Sequence, residues 1–257
     1  TTLSLENEIK FSRLGNALFY NDYSEGAKLT KQAYNLSEGY PIEQKYSAIN
    51  YSCSLGICGE YEEAYKILKQ TFYGTFYKKN AVSISATNNY IIISYLNNFK
   101  DVKWLIDKIS ALNDMINSYM FSDQQIINNN LLAAYIMENE VTHYSKIIEI
   151  SNNIRSNEKD IYHLFFMHHN MMIYYFLVGD LDAFKRERNL CVVPGLLDPY
   201  RDFFVSKANF LQENIKYNWN IKQLQRKLNG WGEYYSEKKY VLYKFPILFG
   251  FIERWFE

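Results

Sequence analysis

The chain has 257 residues, enough for one large domain or two small ones with a substantial core. Lys+Arg and Asp+Glu both total 28, so the formal net charge is zero, and only short basic pairs occur (Lys78-Lys79, Lys238-Lys239); a nucleic-acid partner, which needs clustered cations, is disfavoured. With 48% hydrophobic residues and a mean hydropathy of -0.32, the composition is that of a soluble folded protein.

Pro and Gly number only 4 and 11, which argues against strand-and-turn architectures and predicts helices throughout. The chain opens on Thr1-Thr2, without a methionine or a signal-like apolar segment, as a piece of a longer protein would. Asn21-Asp22-Tyr23 reads as a turn opening a helix. The segment SAINYSCSLGICGEYEEAYKIL, Ser47 to Leu68, places Asn50 in a helix, then a turn at Gly59-Glu60-Tyr61, then a second helix. In that second helix Ala64, Ile67, Leu68 and Phe72 share one face. Cys53 and Cys58 stand at i and i+5. With Cys191 they make an odd set that fits neither a disulfide framework nor a zinc ribbon, so a reducing, cytoplasmic setting is expected.

Asn97-Asn98-Phe99 opens the next second helix, whose apolar face is Val102, Leu105, Ile109, Leu112 and Ile116. Asn139-Glu140-Val141 and Gly179-Asp180-Leu181 repeat the pattern. Between them LFFMHHNMMIYYFLV, Leu164 to Val178, is shorter than the ~20 residues of a membrane span, so no membrane partner is expected. Pro194, Gly195 and Pro199 predict a loop or hinge over 191–199. Residues 200–257 read as C-terminal helices, a degenerate repeat and a cap ending in FPILFGFIERWFE.

The anchors Tyr23, Tyr61, Phe99, Val141 and Leu181 recur at intervals of 38, 38, 42 and 40 residues, the signature of stacked helical hairpins. Eleven residues before the last four anchors stand Asn50, Asn88, Asn130 and Asn170; the first has Ser12. On the same stripe lie Tyr46, Ile84, Tyr95, Ile126 and Phe166.

Gly59-x-Tyr61-Glu62-Glu63-Ala64, with Asn50-Tyr51 before it, resembles the tetratricopeptide repeat (TPR) family in its bacterial Asn-Asn-Leu form. Gly179-Asp180-Leu181-Asp182-Ala183 and Asn21-Asp22-Tyr23-Ser24-Glu25-Gly26 are looser matches, and the resemblance covers about residues 8–190. The period departs from the family's usual 34 residues. The small residue expected two places after each Asn is Ser52 once, but Tyr90, Leu132 and Met172 later. The resemblance implies an all-α, right-handed superhelical solenoid of antiparallel helix pairs. About five pairs would fill residues 1–190, and C-terminal capping helices would follow. It also implies a concave groove along which Asn50, Asn88, Asn130 and Asn170 grip the backbone of a bound peptide.

Two readings of the asparagines stay open. A carboxamide can pair with a peptide's N–H and C=O whatever its side chain, and the apolar stripe would floor the groove. Alternatively the asparagines are buried rungs that fix the packing of neighbouring helices. The expected partner is accordingly a protein or peptide, or other domains of the same full-length chain, with oligomerisation through the C-terminal helices as a further option. By resemblance, such modules serve as sensors of bacterial signalling ATPases of the STAND type. They also serve as peptide-signal receptors, here without a DNA-binding helix-turn-helix, or as structural scaffolds.

Catalytic and cofactor signatures are not found. His163, His168 and His169 miss the i, i+4 spacing of metal-binding helices, with no carboxylate expected beside them. GWGEYY lacks the Lys-Ser/Thr of a phosphate loop, and the acidic residues that open helices fit their dipoles. The expectation is a non-enzymatic protein with no catalytic residues, metal or cofactor.

Overall fold

The computed structural model describes residues 2–18, 23–116, 121–191, 198–224 and 226–227, and among these the only regular structure is helical. The helices are α1 (Thr2–Leu18), α2 (Tyr23–Leu36), α3 (Pro41–Cys58), α4 (Tyr61–Thr71), α5 (Ala81–Leu96), α6 (Val102–Asn113), α7 (Phe121–Glu138), α8 (Tyr144–Asn157), α9 (Ile161–Val178), α10 (Leu181–Leu190) and α11 (Asp198–Asn214). Short 3-10 turns cover Val141–His143 and Ile215–Tyr217. No helix among the described residues is long and apolar enough to cross a membrane. Most of the loop or hinge expected over 191–199 lies outside the described residues, as does everything expected after Lys227.

The chain forms two compact units, the break falling between Ile127 and Asn128 inside α7. In the first unit each helix from α1 to α6 packs on the next, and α1 touches α3 as α3 touches α5. α1, α3 and α5 are therefore neighbours in turn as well. That position explains their sequences. α3 buries every residue from Ser47 to Gly56, and α5 buries most of its length, so neither needs a polar face. α4 and α6 are amphipathic: α4 buries Ala64, Ile67 and Leu68, with Phe72 just beyond, and α6 buries Leu105, Ile106, Ile109 and Leu112. In the second unit α8 packs on α9 and α9 on α10.

Helix starts follow local chemistry. Asn80, Asp101 and Asp180 are N-caps whose side chains accept from the amides of Ser83, Trp104 and Ala183. Pro41 occupies the first turn of α3, where its missing N–H is harmless. Helix ends share a closure. The backbone turns left-handed at Gly59, Asn98 and Gly179, and the next amide (Glu60, Phe99, Asp180) bonds back to Leu55, Ser94 and Tyr175.

Two expected helix starts move. Phe99 does not open α6; it lies half-exposed in the turn, because Asp101 is the residue able to cap, and α6 starts at Val102. Val141 opens the 3-10 turn, and α8 begins only at Tyr144.

Candidate functional site

The left-handed turn residues give a better ruler than the apolar anchors. Gly59, Asn98, Asn139, Gly179 and Asn218 have φ of 83°, 59°, 53°, 77° and 48°. They recur at 39, 41, 40 and 39 residues, a tighter period than the anchors gave. Nine residues before them stand Asn50, Asn89, Asn130, Asn170 and Asn209. Asn89 thus replaces Asn88 in the register, and Asn209 of α11 takes the same place before Asn218. The misplaced Phe99 anchor hid the change from Asn88 to Asn89; the Asn98 turn signal would have revealed it.

Asn50, Asn88, Asn89, Asn130 and Asn170 are all completely buried, whereas Asn209 is exposed. Asn50 Nδ2 donates to Ser12 Oγ at 2.6 Å, joining α3 to α1. Ser12 lies 38 residues before Asn50, so the bond links equivalent places in successive repeats. Asn88 donates to Asn89 Oδ1 at 3.2 Å, and the exposed Asn209 accepts from Arg188 of α10. In the second unit Asn129, one place before Asn130, donates to the His163 carbonyl across α7 and α9. Of the apolar stripe, Ile84, Ile126 and Phe166 are core, while Tyr46 and Tyr95 remain half-buried.

Tyr46 belongs to a cavity of about 320 Å³ in the first unit, lined by Ile42, Lys45 and Tyr46 of α3, Thr75, Lys78 and Asn80 of the α4–α5 linker, and Val82 and Ser83 of α5. This volume is at the small end for ligand sites, which run about 300–1,000 Å³. Two ammonium groups and no carboxylate line it. Its linker carries a bulky residue in left-handed backbone: Tyr77, φ 60°, whose amide is held by Thr87 Oγ1 at 3.0 Å. Ile42 at its mouth is 68% exposed.

Titratable groups inside the helix seams are a second feature that sequence reading missed. Glu8 of α1 is buried, accepts from Ser47 Oγ of α3, and burial pushes its carboxyl up to about 7. In the second unit Glu187 of α10 bonds Arg155 at 2.8 Å and His168 Nδ1 at 2.6 Å. His163 Nδ1 meets Glu158 at 2.8 Å. Two of the three helical histidines therefore do face carboxylates, one from the preceding turn and one from a separate helix, contrary to expectation. Burial, then Lys207, holds His169 well below the usual imidazole range, and burial brings the enclosed Lys207 down to about 7.

No family model, curated protein or solved structure matches this chain.

Proposed function

We propose that the chain is a non-catalytic binding module that takes a peptide or protein segment at the rim where α3 and α5 begin. The observation that carries this reading is the cavity beneath Tyr46. Ile42, Tyr46 and Val82 supply an apolar surface, and Lys45 and Lys78 supply unopposed positive charge in the lining. Such a lining suits a segment with an acidic residue beside an apolar one. The buried asparagines act in this reading as rungs between helices, and recognition falls to residues that solvent reaches.

Selection from a random peptide display library against the immobilised chain tests the proposal. Enriched peptides carrying Asp or Glu beside an apolar residue are expected, with affinity lost in a Lys45→Glu/Lys78→Glu variant of unchanged circular dichroism. Failure to enrich any peptide, or equal binding by the folded variant, would reject the site.

A further inference from the structure

The connection after α7 contains a 3-10 turn that those after α3, α5 and α9 lack. Gly59 and Gly179 stand two residues and Asn98 four residues before the next helix begins, whereas Asn139 stands five residues before α8, with the 3-10 turn Val141–His143 between. That insertion carries His143 back beside the last residue of α7, Glu138.

We propose that Glu138, Glu140 and His143 form a binding site for a divalent cation of the zinc class. The three side chains each offer a donor atom, and these atoms all lie within 4.8 Å of one another. Glu138 is nine-tenths buried, with a side-chain exposure of 10%, and its Oε2 lies 3.0 Å from His143 Nδ1. That enclosed ring nitrogen makes no hydrogen bond among the described residues, and its contact with Glu138 is an ion pair only when the ring is protonated. An oxygen and a nitrogen so placed match one edge of a coordination shell: donors ~2.0–2.1 Å from a tetrahedral ion stand about 3.3 Å apart. The Tyr135 ring, 4.8 Å from the imidazole, limits the ring's freedom to turn away.

The donor types choose the metal. Imidazole with carboxylates suits zinc and its late first-row neighbours, whereas magnesium and calcium prefer oxygen alone. All three ligands fall within six residues, so little further chain entropy is lost on binding. Three protein donors leave a fourth position for water or for a group from outside the turn. Glu140 is exposed, which puts that edge of the site within reach of solvent.

The full chain, stripped with chelator, would be titrated with Co2+ followed by its visible absorption, then with Zn2+ in competition. One equivalent of Co2+ is expected to bind and Zn2+ to displace it, with Mg2+ and Ca2+ in excess leaving the signal unchanged. His143→Ala and Glu140→Gln should each weaken Co2+ binding at least ~10-fold, while a Cys58→Ser/Cys191→Ser variant should bind as the parent does. Because all three ligands sit at a turn, circular dichroism of each variant should match the parent. If His143→Ala fails to fold, Glu140→Gln, exposed in the turn, carries the test alone. No saturable Co2+ binding, binding unchanged in the ligand variants, or binding lost with the cysteines would each overturn the site.

Discussion

The two units solve one problem, polar atoms inside a helix seam, with different chemistry. In the first unit the seams of α3 and α5 hold small neutral groups: Ser52, Ser54, Ser83, Ser85, Thr87 and Ser94 are all buried. Thr30 and Ser54 hydroxyls meet at 2.8 Å between α2 and α3. In the second unit α9 fills the corresponding space with Phe165, Phe166, Met167, His168, His169, Met171 and Met172. Its polar atoms are largely titratable. The first unit therefore relies mainly on close approach and hydroxyl bonds, with Glu8 its titratable exception, and the second on bulk and charge. Each should break under a different insult.

Volume should produce the largest contrast. Phe166→Ala removes a fully buried ring from α9 and is expected to destabilise the second unit by about 3–5 kcal/mol. Ser52→Met copies into α3 the bulk that Met172 gives α9 and should destabilise the first unit by about 1–3 kcal/mol through overpacking. Amide hydrogen exchange read helix by helix checks both. Loss of protection centred on α8–α10 for the first variant and on α1–α5 for the second sustains the contrast. Uniform loss throughout would show that the units unfold together.

Acidity should move the units in opposite directions. Glu8 has a native pKa raised from 4.5 to about 7, so between these values the unfolded chain gives up a proton that the native chain keeps. Stability of the first unit is thus full below pH 4.5 and falls as pH rises through 7, by up to about 3 kcal/mol at the stated shift. His169 and Lys207 have lowered native values, so acidification charges them in the unfolded chain first. Their contribution is present at high pH. It is lost for Lys207 as pH falls from 10.5 to about 7, and for His169 as pH falls below 6.5. Exchange at pH 5.5 and pH 8 should find α1 and α3 better protected in acid and α9 better protected in base. Glu8→Gln should flatten the first response and leave the second. Both units shifting the same way would refute the assignment.

Much of the fold was legible because periodicity and caps are local. The apolar faces of α4 and α6 were readable from Ala64 to Phe72 and from Leu105 to Leu112, and Gly59 and Gly179 marked helix ends. The third repeat was misread because Phe99 resembled an anchor, while the chain obeyed Asn98 and Asp101. The seam chemistry was illegible for a different reason. Glu187 with His168, and Lys207 near His169, are pairs between separate helices, and a single sequence carries no signal for which side chains a fold will bring together. Tyr46 was legible as a member of the stripe through its register, whereas Lys78, which lines the same cavity, was not, because the linker carries no period.

Removing one rung should cost less than removing core volume. Asn50→Ala leaves the buried Ser12 hydroxyl without the donor it meets at 2.6 Å, and a loss of about 1–3 kcal/mol is expected. The double variant Ser12→Ala/Asn50→Ala removes both partners and should recover part of that loss. Denaturant melts of the three variants measure the coupling. Strict additivity would mean that the bond contributes nothing to the seam, and the asparagine register would then need an explanation other than packing.

The smallest expected effect lies at the caps, where the two units should agree. Asp101 accepts from the Trp104 amide at 2.8 Å and Asp180 from the Ala183 amide at 2.9 Å. Each satisfies one of the orphan donors at its helix start and places a negative charge on the positive end of the dipole. Asp→Ala at either place should cost about 1 kcal/mol, and Asp→Asn less, because the amide oxygen still accepts. Equal losses from Asp101→Ala and Asp180→Ala would confine the difference between the units to their buried seams. A larger loss at Asp180 would extend it to the helix ends.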